Sequence, residues 1–215
     1  MSTEINFQFI RPFGPMICKV SMPKDIIKGL NNYVDETIKN EKKINELDHG
    51  KNLAGNVKQE FKLEKEFIEK SKWGFFLSNC AKIWIKKTLD QEITKFQLIS
   101  SWIVRQFKNE YNPIHTHGGH LSGVGYLKVP ESFGDYEQKT KVANQNGMLT
   151  LIHGSKTFMS ESTFSIKPKV GDFYFFPNYL MHSVYPFVGT DDERRSVSFN
   201  ALIDDDIYNV FKNKK

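Results

Sequence analysis

Ile26, Ile27, Leu30, Tyr33, Val34 and Ile38 recur at helical spacing, so the stretch Pro23–Lys39 is predicted to form an amphipathic helix. Ser21-Met22-Pro23 before it has the form of a helix start, a Ser cap followed by an early Pro. Upstream, residues 6–20 alternate weakly and predict two short strands, Asn6–Ile10 and Met16–Val20, separated by Pro12-Phe13-Gly14-Pro15. Residues 40–60 are polar, with Gly50 and Gly55, and predict a connection without an element of its own. Trp73, Phe76, Leu77, Cys80, Trp84 and Leu89 then fall near one stripe. They predict a helix near Glu66–Thr88, weakened in its first half by Gly74.

After Gln91 the period changes. Strands are predicted at Phe96–Phe107 and Leu121–Val129, the latter stopped by Pro130, and at Met148–His153 after the turn Asn144-Gln145-Asn146-Gly147. Four more follow at Thr163–Lys167, Asp172–Phe176, Ser183–Phe187 and Arg195–Ile203. Many short strands with Gly and Pro turns imply an antiparallel sandwich or barrel. Helices first and strands second imply an α+β chain, with helices packed on one face of a β core. The expected organisation is N-terminal strands and supporting helices over 1–95, the β core over 96–204 and a charged, fraying tail over 205–215, all as one folded unit.

Composition adds limits. A chain of 215 residues with 39% hydrophobic and 26% charged residues suits one globular domain. Its 18 Phe favour packed sheets over a helical bundle. The net charge of +5 is spread over short, separate lysine groups, which argues against a nucleic-acid partner. No apolar run approaches the roughly 18 residues that would span a bilayer, so no membrane role is expected. The two cysteines, Cys18 and Cys80, lie far apart and form no ligand pair. With a Met1–Phe9 start that lacks a basic segment and an apolar stretch, they fit a reducing cytoplasm.

Three of the six histidines crowd into Asn112-Pro113-Ile114-His115-Thr116-His117-Gly118-Gly119-His120. In an extended segment residues two apart share a side, so His115 and His117 can face one ion with Thr116 turned away. His182 is the best third ligand, since it lies between a hydrophobic strand and the next strand. Near the end, Arg194, Ser196 and Ser198 share one face of a strand, and Arg195, Val197 and Phe199 share the other. An inward Arg in a β core is costly unless an anion meets it, and a guanidinium clamps a carboxylate in a bidentate way. A surface strand with solvated arginines explains the spacing equally well.

The combination resembles the 2-oxoglutarate/Fe(II) oxygenase superfamily, and within it a prolyl-hydroxylase-like group of oxygenases common in phage and marine bacterial genomes. Three stretches carry the resemblance: Tyr111 to His117 continuing through Leu121 to Pro130, Pro168 to His182, and Arg194 to Asn200. Leu53-Ala54-Gly55 adds a weaker likeness. The resemblance implies a double-stranded β-helix, or jelly roll, with N-terminal helices on one face. It implies Fe(II) held by His115 and His182, with Arg194 on the C5 carboxylate of 2-oxoglutarate, helped by Ser196 and Tyr126. Asn200 would line the pocket. The implied activity is a dioxygenase that uses O2, releases succinate and CO2, and hydroxylates an unidentified peptide or small molecule. If phage-encoded, it would work in the host cytoplasm.

One departure is clear. The superfamily places a carboxylate two residues after its first histidine, and this chain has His117 there. His117 is expected as a ligand, with His120, Asp135 and Asp172 as substitutes. Phe173, Phe175, Phe176, Tyr179 and Trp102 either shield the reaction or simply pack the core. Glu131–Gln145 is expected to be a plain loop or a mobile cover over the site. Two other classes use the same residues: a cupin-like metal-binding jelly roll without oxygenase activity, and a phage structural module with incidental histidines. Metal affinity is expected to fall as pH drops through about 6, the reference imidazole range.

Overall fold

A computed structural model describes residues 5–10, 14–135, 138 and 140–209. The chain runs β1 (Phe7–Ile10), β2 (Ile17–Ser21), α1 (Lys24–Thr37), α2 (Glu41–Leu47) and a 3-10 turn at Gly50–Asn52. Then come β3 (Gln59–Lys62), α3 (Lys65–Lys70), α4 (Trp73–Leu89), β4 (Phe96–Gln106), β5 (Asn112–His115) and β6 (Leu121–Lys128). The last elements are β7 (Leu149–Ile152), β8 (Thr163–Ile166), β9 (Asp172–Pro177), β10 (Met181–Val184), β11 (Arg194–Ile203) and α5 (Asp205–Tyr208).

Two antiparallel sheets face each other. The larger has the order β1-β2-β9-β6-β11-β4-β3 and the smaller β5-β10-β7-β8. This is the expected jelly roll, with β1, β2 and β3 extending the larger sheet at both ends. Period-2 alternation sends each strand's residues to two cores. Phe173 and Phe175 of β9, with Val197 and Phe199 of β11, pack against Leu30 and Val34 of α1 and Trp73, Leu77 and Trp84 of α4. Tyr174 and Phe176 of β9 point the other way, to Tyr126, Leu149, Leu151 and Val184 between the sheets. A Cβ on Gly125 would stand 2.2 Å from the Phe173 ring, so β6 has no side chain there.

The helical expectations need three corrections. The predicted Glu66–Thr88 helix is two, α3 and α4, broken at Ser71 and Lys72, where the Ser71 hydroxyl accepts from the Trp73 N–H. Ser21 ends β2 and does not cap α1; Pro23 holds the N-cap position without a side-chain bond. The supposedly featureless 40–60 stretch holds α2, a 3-10 turn and the start of β3. α2 is capped by Asn40, whose side chain accepts from the Lys43 N–H. None of its residues is buried, so it leaves little apolar periodicity to read.

Part of the Glu131–Gln145 loop falls outside the described residues. Its start is anchored, with Phe133 buried against Phe187 and the Gly134 carbonyl accepting from Asn144 and Asn146. The 205–215 tail is described only to residue 209. Its first part is α5, begun at Asp204, whose carboxylate accepts from Thr94 and Lys95. No helix among the described residues is long and apolar enough to cross a membrane.

Candidate active site

β5 and β10 are neighbours, and their register pairs His115 directly with His182. That pairing brings the two rings to 4.3 Å between centroids. His117 lies just past β5, with its Nε2 3.1 Å from Nε2 of His182. One nitrogen from each of the three rings falls within 4.8 Å of the others. Two imidazoles bound at right angles to one ion at roughly 2.1 Å would hold their nitrogens about 3.0 Å apart, close to the observed spacing. Thr116 is exposed and turned away.

The tautomers suit a metal. His182 Nδ1 donates to the Leu180 carbonyl at 2.9 Å and His115 Nδ1 to the Pro113 carbonyl at 2.7 Å, so each Nε2 keeps its lone pair. Burial, then the neighbouring imidazoles, push His117 down to about 3. Burial, then His115, push His182 down to about 4, and burial also lowers His115. All three rings are therefore neutral and able to ligate at physiological pH.

Asn178 locks His117 in place. The His117 N–H donates to the Asn178 carbonyl at 3.0 Å, and the Asn178 side chain donates back to the His117 carbonyl at 3.2 Å. The Tyr208 hydroxyl on α5 in turn donates to Asn178 Oδ1 at 3.0 Å. His120 is not in the triad. It stacks on Tyr208 with centroids 3.8 Å apart, and its Nδ1 accepts from the Ile203 N–H. Neither Asp135 nor Asp172 joins the triad: Asp135 is exposed, and Asp172 pairs with Lys19 at 2.8 Å. No carboxylate completes the group among the described residues.

The triad opens into a narrow cleft between the two sheets. Arg194, Ser196 and Ser198 line it, as do Trp102, Val104, Phe176, Leu149 and Val184. Arg194 is 2% exposed. Its Nη1 donates to Gln106 Oε1 at 2.6 Å, its guanidinium lies 5.1 Å from the Tyr126 ring centroid, and its Nε has no partner. No carboxylate among the described residues pairs with it, and burial lowers its pKa. The buried Tyr126 hydroxyl lies beside the guanidinium; burial raises its pKa against the pull of Arg194. Arg195, on the opposite face, is bound to Glu193 at 2.8 Å and Asp35 at 2.9 Å.

Asn200 does not line the cleft; its Oδ1 accepts from Ser122. Among the aromatics, Trp102 and Phe176 face the site, Phe173 and Phe175 pack against the helices, and Tyr179 is 52% exposed elsewhere. Sequence reasoning missed Gln106, Asn178, Asn112 and Glu60. Gln106 was findable, since it shares a face of β4 with Trp102 and Val104. Glu60 sits in a four-residue strand, Gln-Glu-Phe-Lys, too polar and short to stand out. It is 4% exposed, its Oε1 has no partner, and burial, then Asp48 and Glu110, push it up to about 7.

Known proteins resemble this chain in sequence and in fold. The family described as "Putative 2OG-Fe(II) oxygenase" matches residues 100–200, which span β4 to most of β11 and contain every histidine of the triad and Arg194. Over these residues the chain is similar to 2-oxoglutarate/Fe(II) oxygenases. That family is named for Fe(II) and 2-oxoglutarate, a cofactor and co-substrate that suit the residues of this site. Its fold is shared with solved structures. A Pseudomonas putida prolyl-4-hydroxylase is 14% identical, covering 86% of this chain and 91% of its own at a TM-score of 0.56. The viral collagen prolyl hydroxylase of Paramecium Bursaria Chlorella virus-1, a 2-oxoglutarate complex, is 17% identical, covering 86% and 94% at 0.54. HygX of Streptomyces hygroscopicus, with nickel and 2-oxoglutarate bound, is 10% identical, covering 85% and 80% at 0.52. No curated protein matches the sequence.

Proposed function

We propose that this protein is an Fe(II)- and 2-oxoglutarate-dependent dioxygenase that hydroxylates its substrate and releases succinate and CO2. The observation that carries the reading is a buried guanidinium without a counter-charge in the same cleft as three converging neutral imidazoles. His115, His117 and His182 would hold Fe(II). Bound there, Fe(II) supplies the redox chemistry that couples O2 and 2-oxoglutarate turnover to substrate oxidation.

The chain's own residues position and protect. Arg194 receives the C5 carboxylate of 2-oxoglutarate, and Gln106 fixes the guanidinium in plane by taking one of its N–H groups. Ser196 and Tyr126 add hydroxyls beside it. This fixes the keto acid in one orientation towards the histidines. Trp102, Val104, Phe176, Leu149 and Val184 wall the cleft and exclude water. O2 and a peptide or small molecule are the partners; that two of the similar structures are prolyl hydroxylases makes a peptide a class to test first. Two buried free cysteines fit work in a reducing cytoplasm.

The test is anaerobic Fe(II) loading, 2-oxoglutarate titration, and succinate release on admitting O2. Arg194→Ala is expected to keep its iron and to weaken 2-oxoglutarate binding by about 30-fold or more, the cost of removing one partner of a buried charge pair. A protein that binds metal but no 2-oxoglutarate would be the cupin-like jelly roll instead.

A further inference from the structure

The cleft has a second unfinished wall. We infer that Glu60 and Asn112 form a specificity-determining pair that takes the cationic nitrogen of the primary substrate, an alkylammonium or alkylguanidinium group. The inference rests on the oxygenase reading and deepens it. Both residues line the cleft that holds the histidines and Arg194. Glu60 Oε1 and Asn112 Oδ1 are buried, and neither has a hydrogen-bond partner. Buried polar atoms are almost always satisfied, so two bare acceptors in one cavity point to a donor from outside.

Both oxygens lie beside Gly55. A Cβ added at Gly55 would stand 2.6 Å from Glu60 Oε1 and 3.1 Å from Asn112 Oδ1. Glycine there leaves the carboxyl room. An amide can rotate to present either end, so Glu60 sets the charge preference. Asp48 and Glu110 add negative charge from neighbouring segments, and no Lys, Arg or His nitrogen makes an ion pair with Glu60 among the described residues. The Asp48 and Glu110 carboxylates already accept from the Gly50, Lys58 and Phe107 N–H groups, which leaves Glu60 as the unengaged acid.

Position separates this wall from the keto-acid site. Glu60 pairs with Val104, and Val104 with Ser196, so Glu60 and Ser196 are two strand spacings apart, about 10 Å. Arg194, beyond Ser196, takes the dianionic co-substrate. The acceptor pair on the edge strand β3 is left for a second molecule of opposite charge. Part-neutralised by burial in the free protein, the Glu60 carboxyl gains its counter-charge when that molecule binds.

The experiment loads the full chain with Fe(II) and 2-oxoglutarate without O2, using their charge-transfer absorption to report that the keto-acid site is formed. Butylammonium and butylguanidinium are then titrated against pentanol and valerate, with binding read by calorimetry or ligand NMR. At least one cation is expected to bind saturably and at least 10-fold tighter than the neutral and anionic chains. Glu60→Gln and Gly55→Ala are each expected to weaken it at least 10-fold; the second keeps the carboxyl and displaces it. A capped lysine peptide beside butylammonium separates a peptide side chain from a free amine as the source. Equal binding of all four chains, or cation binding unchanged in both variants, overturns the inference while the absorption band leaves the oxygenase reading standing. Should Glu60→Gln fail to fold, the ranking of probes on the native protein and Gly55→Ala decide. Absence of the band in the native protein sinks both readings together.

Discussion

Arg194 and Arg195 are consecutive and equally buried, yet only Arg195 has carboxylates. Their spacing was legible in the sequence, because alternation along a strand puts them on opposite faces. Which of the two faced the cavity was legible through the resemblance: Glu193, two residues before Arg195, is a local partner, but Asp35 is far away in the sequence. The difference has a measurable consequence. Arg195→Ala leaves the buried Glu193 with Arg105 as its remaining close partner and is expected to cost about 1.5–3 kcal/mol of folding stability, read by urea unfolding. Arg194→Ala removes a charge that the metal-free protein leaves uncompensated, and its folding cost is expected to be smaller than that of Arg195→Ala. His117 is where the sequence departs from the family it resembles. A carboxylate at that position would add negative charge beside the ion. His117→Asp is therefore expected to retain Fe(II), and His117→Ala to lose at least 10-fold in affinity, both read as metal bound after dialysis.

At the level of elements, the strands were the readable part. β4, β6, β9 and β11 match their predicted spans to within about two residues, because their apolar runs are long and bounded by Gly, Pro or charge. β5 and β3 were not predicted. Each has four residues, and their cavity-facing positions carry Asn112, His115 and Glu60 in place of apolar side chains. The rule that hydrophobic residues face inward fails where the inside is a functional cleft. β6 shows the reverse case, a strand whose glycine is packing in disguise. Gly125→Ala would drive a methyl group to 2.2 Å from Phe173, at the centre of the helix-side core. It is expected to cost about 1–3 kcal/mol, read as a lowered Tm, with the overall fold retained by circular dichroism.

For the molecule as a whole, burial sets the response to acid. The histidine pKa values fall on folding, so the folded state disfavours protons that the unfolded chain accepts near 6.5. The stability that depends on neutral imidazoles is complete above about 6.5 and drains away as pH falls towards 4. The metal-free protein is expected to lose on the order of 2 kcal/mol between pH 7 and 5.5, and to regain it on adding Fe(II). Glu193 acts in another window. Burial alone would raise it, but Arg195 and Arg105 hold it at about 2, so its contribution persists until pH falls below about 4.5. The sequence expectation that metal affinity falls through about pH 6 used the solvated imidazole value. With ligands titrating near 3 and 4, affinity is expected to hold to about pH 5 in the folded protein, checked by metal competition across that range. One last consequence belongs to the α5 turn. Tyr208 braces Asn178, and Asn178 grips the backbone of His117 from both sides. Through these contacts the α5 turn is expected to influence how long an ion stays once captured. Tyr208→Phe should shorten that residence time, seen as faster transfer to a chelator, while the melting temperature barely moves.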